Sequence, residues 1–454
     1  KIIMNSKVYN STLIALFTFI CTNIIAQKKE PYEMMVDGVK VIVQPVNNEI
    51  VQIQTVIKGG VQNYDTSKAG IEDLAISALT ECGTANDDKN SFKNKLDRVS
   101  GQIYGNAGMD FSTFNLNCIK EDLNTVWPLY VDAVTKPKFD QKEFDRIKQD
   151  AINSIKERES QPDYSINRLA KNTAFAGMNY AKDPSGTETS VKSISVAEAK
   201  DFYKSIATKS RMLIVVVADL DKSEIEQKVH DLLSFIPVGK PFIYKKESFT
   251  AKANTFKAEK KELATNYIQA VTSGPAPGTK EYNAFLLAMQ IFYNRHFLEV
   301  RTNNGLSYAP QTYFSGGLTP STNIVVSTTD PNKYIQVLNK LLDKTKKGFT
   351  EDEVKNMKTT YITREYYKQE TNAAQANSLA ANEVIHNNWR RAIKLNEELK
   401  NITAKDVTAA FSKYVTHMSW VYQGDPAKVD SKLYTQTIVT EKLPNSSFSN
   451  KKID

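Results

Sequence analysis

Histidine is scarce in this chain: four residues in 454, namely His230, His296, His386 and His417. No two of them stand at the spacing that puts two imidazoles on one helical turn, so the sequence offers no histidine-based catalytic metal site. In "HFLEV" His296 is followed by Glu299, but Val300 occupies the place a second histidine would need. Cysteine is equally sparse. Cys21, Cys82 and Cys118 are the whole complement, which excludes a disulfide-stapled scaffold. Cys82 and Cys118 read as two separate buried thiols, with a disulfide between them as the alternative. G-x-S-x-G is absent, as is any recognisable Cys-His signature, and no carboxylate pair has a reason to be catalytic; Asp73 beside Glu72 reads as a solvated helix face. Charge of one sign is not concentrated either. The net charge of +8 is spread with both signs interspersed, and nothing requires a nucleic-acid partner. Beyond the first residues, no stretch supplies the roughly 20 apolar residues of a membrane-spanning helix.

What is present begins with Lys1 and Lys7, an apolar run from about Leu13 to Ala26, and polar "QKKE" from Gln27. Residues 1–26 are expected to be a secretory signal peptide, which places the mature chain in the periplasm or outside the cell. The remainder suits two domains. Four helix starts carry capping boxes, Asp140 with Glu143, Ser195 with Glu198, Thr350 with Glu353 and Thr403 with Asp406. Asp140 to Ser195 is 55 positions and Thr350 to Thr403 is 53, so the chain reads as one domain built twice at an offset of about 210 residues. The expected fold is α+β: two homologous domains, 32–238 and 265–446, each a mixed, mostly antiparallel sheet with helices on one face. The Lys-rich, poorly periodic stretch 239–264 is expected to be a linker on which the halves hinge.

In "GIEDLAISALTECG" the residues Ile71, Leu74, Ala75, Ala78, Leu79 and Cys82 recur at helical spacing and should face the core, while Gly83 is placed to end the helix. Asp73, Ile76 and Ser77 share another face. The longer pattern "VKVIVQPV…IKGGVQNYDTSKAGIEDLAISALTECGT" resembles the start of the pitrilysin-like inverted-motif zinc peptidases, the family of insulin-degrading enzyme and the mitochondrial processing peptidase. The resemblance implies a helix carrying His, Glu and His where this chain has Asp73, Ile76 and Ser77, and a third ligand, Glu, where it has Asn153 or Ser154 in "DAINSIKERESQPD". A catalytic zinc needs three protein ligands and an open position for water. On this reading the chain holds no metal and no catalytic residue of its own.

In "FYNRHFLEVRTNNGLSYAPQTYFSGG" Leu286, Met289, Tyr293, Phe297 and Val300 form a helical stripe that runs out near Gly305, after which "LSYAPQTYF" reads as a strand carrying Tyr308. From spacing alone, Arg301 caps the helix or pairs with a carboxylate and Tyr308 packs. The segment is also similar to the family's second-half signature, an Arg followed seven residues later by a Tyr. The resemblance implies that Arg301 binds a substrate carbonyl and Tyr308 donates to the oxygen that becomes negative in the transition state. It further implies a non-catalytic subunit of a heteromeric peptidase, with zinc and H-x-x-E-H supplied by a partner chain and a peptide or unfolded polypeptide as substrate. The alternative is a peptide-binding or scaffold protein of an envelope complex.

Overall fold

A computed structural model describes residues 30–436; the expected signal segment and residues 437–446 of the expected second domain lie outside the described residues. The first half supplies β1 (Tyr32–Val36), β2 (Val39–Pro45), β3 (Ile50–Lys58), β4 (Gln102–Asn106), β5 (Phe111–Ile119) and β6 (Met212–Ala218), which form one sheet in the order β1-β2-β6-β3-β5-β4. The second supplies β7 (Thr255–Lys260), β8 (Asn266–Ser273), β9 (Gln311–Ser315), β10 (Ser321–Thr328) and β11 (Ser419–Gly424), in the order β7-β11-β8-β10-β9. Each sheet has one parallel pair, β2 with β6 and β7 with β11, and is otherwise antiparallel. Without β1 the two orders superimpose strand for strand. The fold is α+β and internally repeated.

The repeat corrects the expected domain boundary. Strand β7 is the counterpart of β2, yet it lies inside the stretch expected to be a linker. Its sequence, "TFKAEK", is exposed along most of its length and pairs on one side only. An edge strand rich in lysine is a normal way to blunt a sheet edge, and it leaves no alternating apolar signal to find.

Capping is as local as the sequence implies. Ser195, Thr350 and Thr403 each form a reciprocal box with the acid three residues on. Asp140 accepts from the amides of Lys142 and Glu143, but the Glu143 side chain turns instead to Arg146 and Lys89.

Strand β6, "MLIVVVA", is buried at every position, which a strand covered on both faces requires. Met212, Ile214 and Val216 join the core of the first half, whereas Leu213, Val215 and Val217 face Ala376, Leu379 and Ala380. Those three belong to the helix Asn372–His386 of the second half. The exchange is mutual: the first-half helix Pro162–Ala174 lies on β8 and β11, and Val271 and Val421 join the first-half core. Matching polar contacts mark both crossings. Gln54 Nε2 donates to Asn115 at 2.9 Å and Asn377 at 2.6 Å, while Gln269 Nε2 donates to Asn323 at 3.0 Å and Asn167 at 3.1 Å.

The stretch 239–264 is not a free linker in this structure. Each half closes the other's sheet, and the connecting chain is itself pinned to the first half. The Arg211 guanidinium stacks 4.1 Å from the Phe242 ring, the Tyr244 hydroxyl donates to the Asp110 carbonyl at 2.8 Å, and Glu247 accepts the Asn179 amide at 2.9 Å.

Glu72 corrects a second expectation. It is fully buried, accepting from Ser112 Oγ at 2.5 Å and Asn63 Nδ2 at 3.0 Å, and Asn63 in turn accepts from Arg211 at 2.7 Å. Burial pushes its carboxyl up to about 7, against the pull of those two hydrogen bonds and of Arg211. Cys82 and Cys118 are separate buried thiols, pushed by burial up to about 12 and about 11.

Two outcomes follow from this architecture. Leu379→Ala, at the interface between the halves, should cost about 2–5 kcal/mol in urea unfolding and speed amide exchange in β3 and β6 of the other half; undisturbed exchange there would mean that the halves are independent. For Glu72, the folded protein holds a proton that the unfolded chain releases near the ordinary value of 4.5, so stability should fall as pH rises from about 4.5 to about 7. The fall is on the order of 3 kcal/mol, and urea midpoints of Glu72→Gln should lack it; the same pH slope in both proteins would refute the assignment.

Candidate functional site

The helix Ile71–Glu81 starts at Gly70, whose φ of 94° is a left-handed conformation. A Cβ there would also meet Val191 Cγ2 at 2.9 Å and the Ser185 carbonyl at 3.0 Å, so glycine is what lets this helix start against the 185–191 segment. Asp73 and Ser77, one turn apart and half-buried, line a cleft of about 430 Å³ together with Ser154 and Arg158 of the helix Gln141–Ser160 and with Ser185. Of the two positions expected for the third ligand, Ser154 faces the cleft. Asn153 does not line it and accepts a hydrogen bond from Gln149 at 2.9 Å.

Ile76 has left the cleft altogether. It is buried under β4, where a Cβ on Gly105 would lie 2.1 Å from Ile76 Cγ2. The position where the resemblance places a proton-transferring glutamate is thus a packing contact with an edge strand.

Burial pushes the Asp73 carboxyl up to about 6, with Arg158 pulling it down and Asp183 pushing it further up. The Arg158 guanidinium lies 5.5 Å from the Tyr164 ring and its Nη1 donates to Ser185 Oγ at 3.4 Å, while its buried Nε has no partner among the described residues. Arg158 was missed in the sequence, although it stands four residues beyond Ser154 and so on the same helix face. Arg146 is committed to Glu81 at 2.6 Å, Glu143 at 2.8 Å and Asp150 at 2.9 Å. Glu81 and Asp150 also line the cleft but are held by Arg146, and the one carboxylate left, Asp73, with a few hydroxyls does not make a catalytic zinc site; no group of three metal-ligating side chains occurs among the described residues. The donors present do not fit the metal, and no chemistry of this chain is routed through one.

In the second half the helix Lys280–Phe297 runs on into a π-helical segment, Leu298–Asn303, of the kind that often marks a functional site. Its buried side is Phe285, Ala288, Met289, Phe292 and His296; of the expected stripe, Met289 and Val300 are buried while Tyr293 is exposed. His296 sits between Tyr334 Oη at 3.1 Å and Thr312 Oγ1 at 3.0 Å, and burial lowers it to about 3. It is a neutral packing residue.

Arg301 projects from the π segment. Its guanidinium lies 4.1 Å from the Tyr308 ring and 5.0 Å from the Phe297 ring, and no ion-pair partner is found for it among the described residues. Among the described residues Arg301 pairs with no carboxylate, and Tyr308 is 79% exposed rather than packed in a core. Tyr308 also precedes the strand expected to carry it, since β9 begins at Gln311, after Pro310. The structure brings Arg301 and Tyr308 into one stack, and it assembles Asp73, Ser77 and Ser154 in a separate cleft.

Comparison with known proteins agrees with this architecture. Residues 40–188 match the profile described as insulinase (peptidase family M16), and residues 193–361 match that of the peptidase M16 inactive domain. The non-peptidase homolog YmxG of Helicobacter pylori is 20% identical over 346 residues, which cover 72% of this chain and 77% of that protein. The crystal structure of a peptidase M16 inactive domain from Pseudomonas fluorescens has a TM-score of 0.78 at 18% identity, over 87% of this chain and 98% of that one. The periplasmic protease PqqL of Escherichia coli has a TM-score of 0.73 at 13% identity, over 87% of this chain but only 46% of its own. With two adjoining profiles matched in order and the twin-sheet fold shared along most of its length, this chain belongs to peptidase family M16, the insulinase and pitrilysin family, as a peptidase-like protein.

Proposed function

We propose that this protein is the non-catalytic subunit of a secreted or periplasmic two-chain metallopeptidase. In that assembly it binds peptide and presents Arg301 and Tyr308 to a zinc-bearing partner. The observation that carries the reading is the stack of half-buried Arg301 on exposed Tyr308, with no ion pair to Arg301 among the described residues, in a chain whose own metal positions hold Asp73, Ile76 and Ser77. The guanidinium has donors to spare for a peptide carbonyl. The Tyr308 hydroxyl, at the surface, can donate to an oxygen that gains charge during attack on that carbonyl.

PqqL supports the pairing, because this fold spans under half of a chain named as a protease. Two such units side by side would give one face with metal ligands and one with the Arg and Tyr. Peptide would add as a strand to an open sheet edge. Both β4, beside Ile76, and β9, three residues beyond Tyr308, are such edges. The compartment rests on the apolar N-terminal run alone.

A second reading, a peptide-binding or scaffold protein with no part in hydrolysis, is favoured by the designation of YmxG as a non-peptidase homolog. The two readings separate on purification from the native envelope: a near-stoichiometric H-x-x-E-H partner, with zinc and cleavage that leave when it is removed, supports the first. In the reconstituted pair Tyr308→Phe should lower cleavage by about 10²- to 10³-fold, and Arg301→Ala should lower it as well, with zinc content unchanged. Cleavage indifferent to both substitutions would sink the proposal.

A further inference from the structure

The hairpins that carry the open edges β4 and β9 meet at their tips. In the first half β4 turns through residues 107–110 into β5, and in the second half β9 turns through residues 316–320 into β10. The sheet orders make these hairpins counterparts, each at the free edge of its own sheet. Asp110, the last residue of the first turn, joins them. Its Oδ2 accepts from the Leu318 amide at 3.2 Å and its Oδ1 from the Tyr180 hydroxyl at 2.5 Å, while its carbonyl accepts from the Tyr244 hydroxyl at 2.8 Å. The connecting segment seals the same junction, because Thr319 Oγ1 donates to the Glu247 carbonyl at 3.4 Å.

The junction is tight. Asp110, Tyr180 and Thr319 are all buried, and a Cβ on Gly317 would lie 2.5 Å from Tyr180 Oη and 2.6 Å from Asp110 Oδ2. The carboxylate thus occupies the space that a side chain at 317 would take. On the second-half side the Tyr282 hydroxyl donates to the Gly316 carbonyl at 3.0 Å, and the Tyr282 ring stands edge-on to Phe314 of β9 at 5.1 Å. Burial pushes the Asp110 carboxyl above its ordinary value, with the hydrogen bonds from Tyr180 and Leu318 pulling it down, and no cation is found paired with it among the described residues. A buried carboxylate without a cation costs stability. What it supplies here is a bond from one half's edge hairpin to the other's.

We propose that Asp110 is a positioning residue for polypeptide capture: it ties the β9–β10 tip to the β4–β5 tip, so that the edges β4 and β9 together serve one extended chain. Each edge is five residues long, so the substrate class is an unfolded polypeptide well beyond that length rather than a di- or tripeptide. Once one edge has taken the chain as an added strand, the other binds it intramolecularly, and the gain depends on how firmly the two edges are held to each other. Asp110 acts through the strands and not on the substrate. The inference deepens the peptide-binding reading and rests on it.

Two measurements on the full chain, with no partner added, test this: amide exchange over residues 311–320, and affinity for a labelled unfolded probe, reduced and carboxymethylated lactalbumin, by fluorescence anisotropy. Asp110→Ala should speed exchange at Leu318 by at least about tenfold, the effect of one lost hydrogen bond to a charged group, and lower probe affinity by at least about tenfold. Asp110→Asn, which keeps one acceptor oxygen, should fall between Asp110→Ala and the parent. Gly317→Ala leaves Asp110 in place and displaces the tip from the other side, so it should reproduce both effects even where Asp110→Ala folds poorly. A clamp that served stability alone would change exchange and melting temperature but leave affinity untouched, and that result would overturn the inference. So would unchanged exchange at Leu318 in both alanine variants, or no binding of the probe by the parent chain. Cleavage by the reconstituted pair that is indifferent to Arg301→Ala and Tyr308→Phe would instead overturn the two-chain reading, leaving capture by the two edges standing.

Discussion

The helix Asn372–His386 covers the first-half sheet and the helix Pro162–Ala174 covers the second, so neither sheet can keep its outer apolar face from water unless the other half is in place. This mutual burial makes one body of two repeats. It also explains why β6 is apolar at every position and why Gln54 and Gln269, each facing an exchanged helix, reach an Asn on it. A functional consequence follows. With each half packed on the other's sheet and the connecting segment held by Arg211, Asp110 and Asn179, the proposed reading takes a closed chamber around a peptide from a second chain.

The first-half site differs from a metal centre in more than its ligands. Ile76 is bound into the packing between the opening helix and β4, with no room at Gly105 for a larger residue. Restoring a glutamate there would bury a charge against a sheet edge and leave a gap under it, so the position is closed to metal chemistry by packing as well as by composition. The carboxylates that remain near the helix start, Glu72 and Asp73, are both pushed up by burial, which weakens their hold on charge in the neutral range.

How far the sequence disclosed all this depended on whether each feature is local. The repeat was legible through four helix caps because a cap is written within four residues, and those caps fixed the offset that the sheets then reproduce. Arg301 and Tyr308 were legible through a short motif, and their stacking is a matter of seven residues. Strand β7 was not, because an edge strand in water needs no apolar face. Glu72 was misread for the opposite reason. Its burial is made by Ser112, Asn63 and the approach of β5, none of which leaves a mark at position 72.

The stack in the second half does little for folding. Tyr308 is mostly in water and Arg301 joins no ion pair among the described residues, so their contact contributes about 0.5–1 kcal/mol at most, the range for an exposed cation–π pair. Meanwhile the helix gives up regular geometry to carry it. Leu298–Asn303 adopts the wider π turn, and the Leu306 amide closes back on the Val300 carbonyl at 2.9 Å to finish it. A segment with poorer helical bonding that carries a half-buried arginine stacked on an exposed tyrosine beyond its end is not what stability alone would build. Ile76, by contrast, is accounted for entirely by packing. On the proposed reading, that asymmetry is the physical reason to look for a partner opposite Arg301 and Tyr308 rather than for a metal beside Asp73.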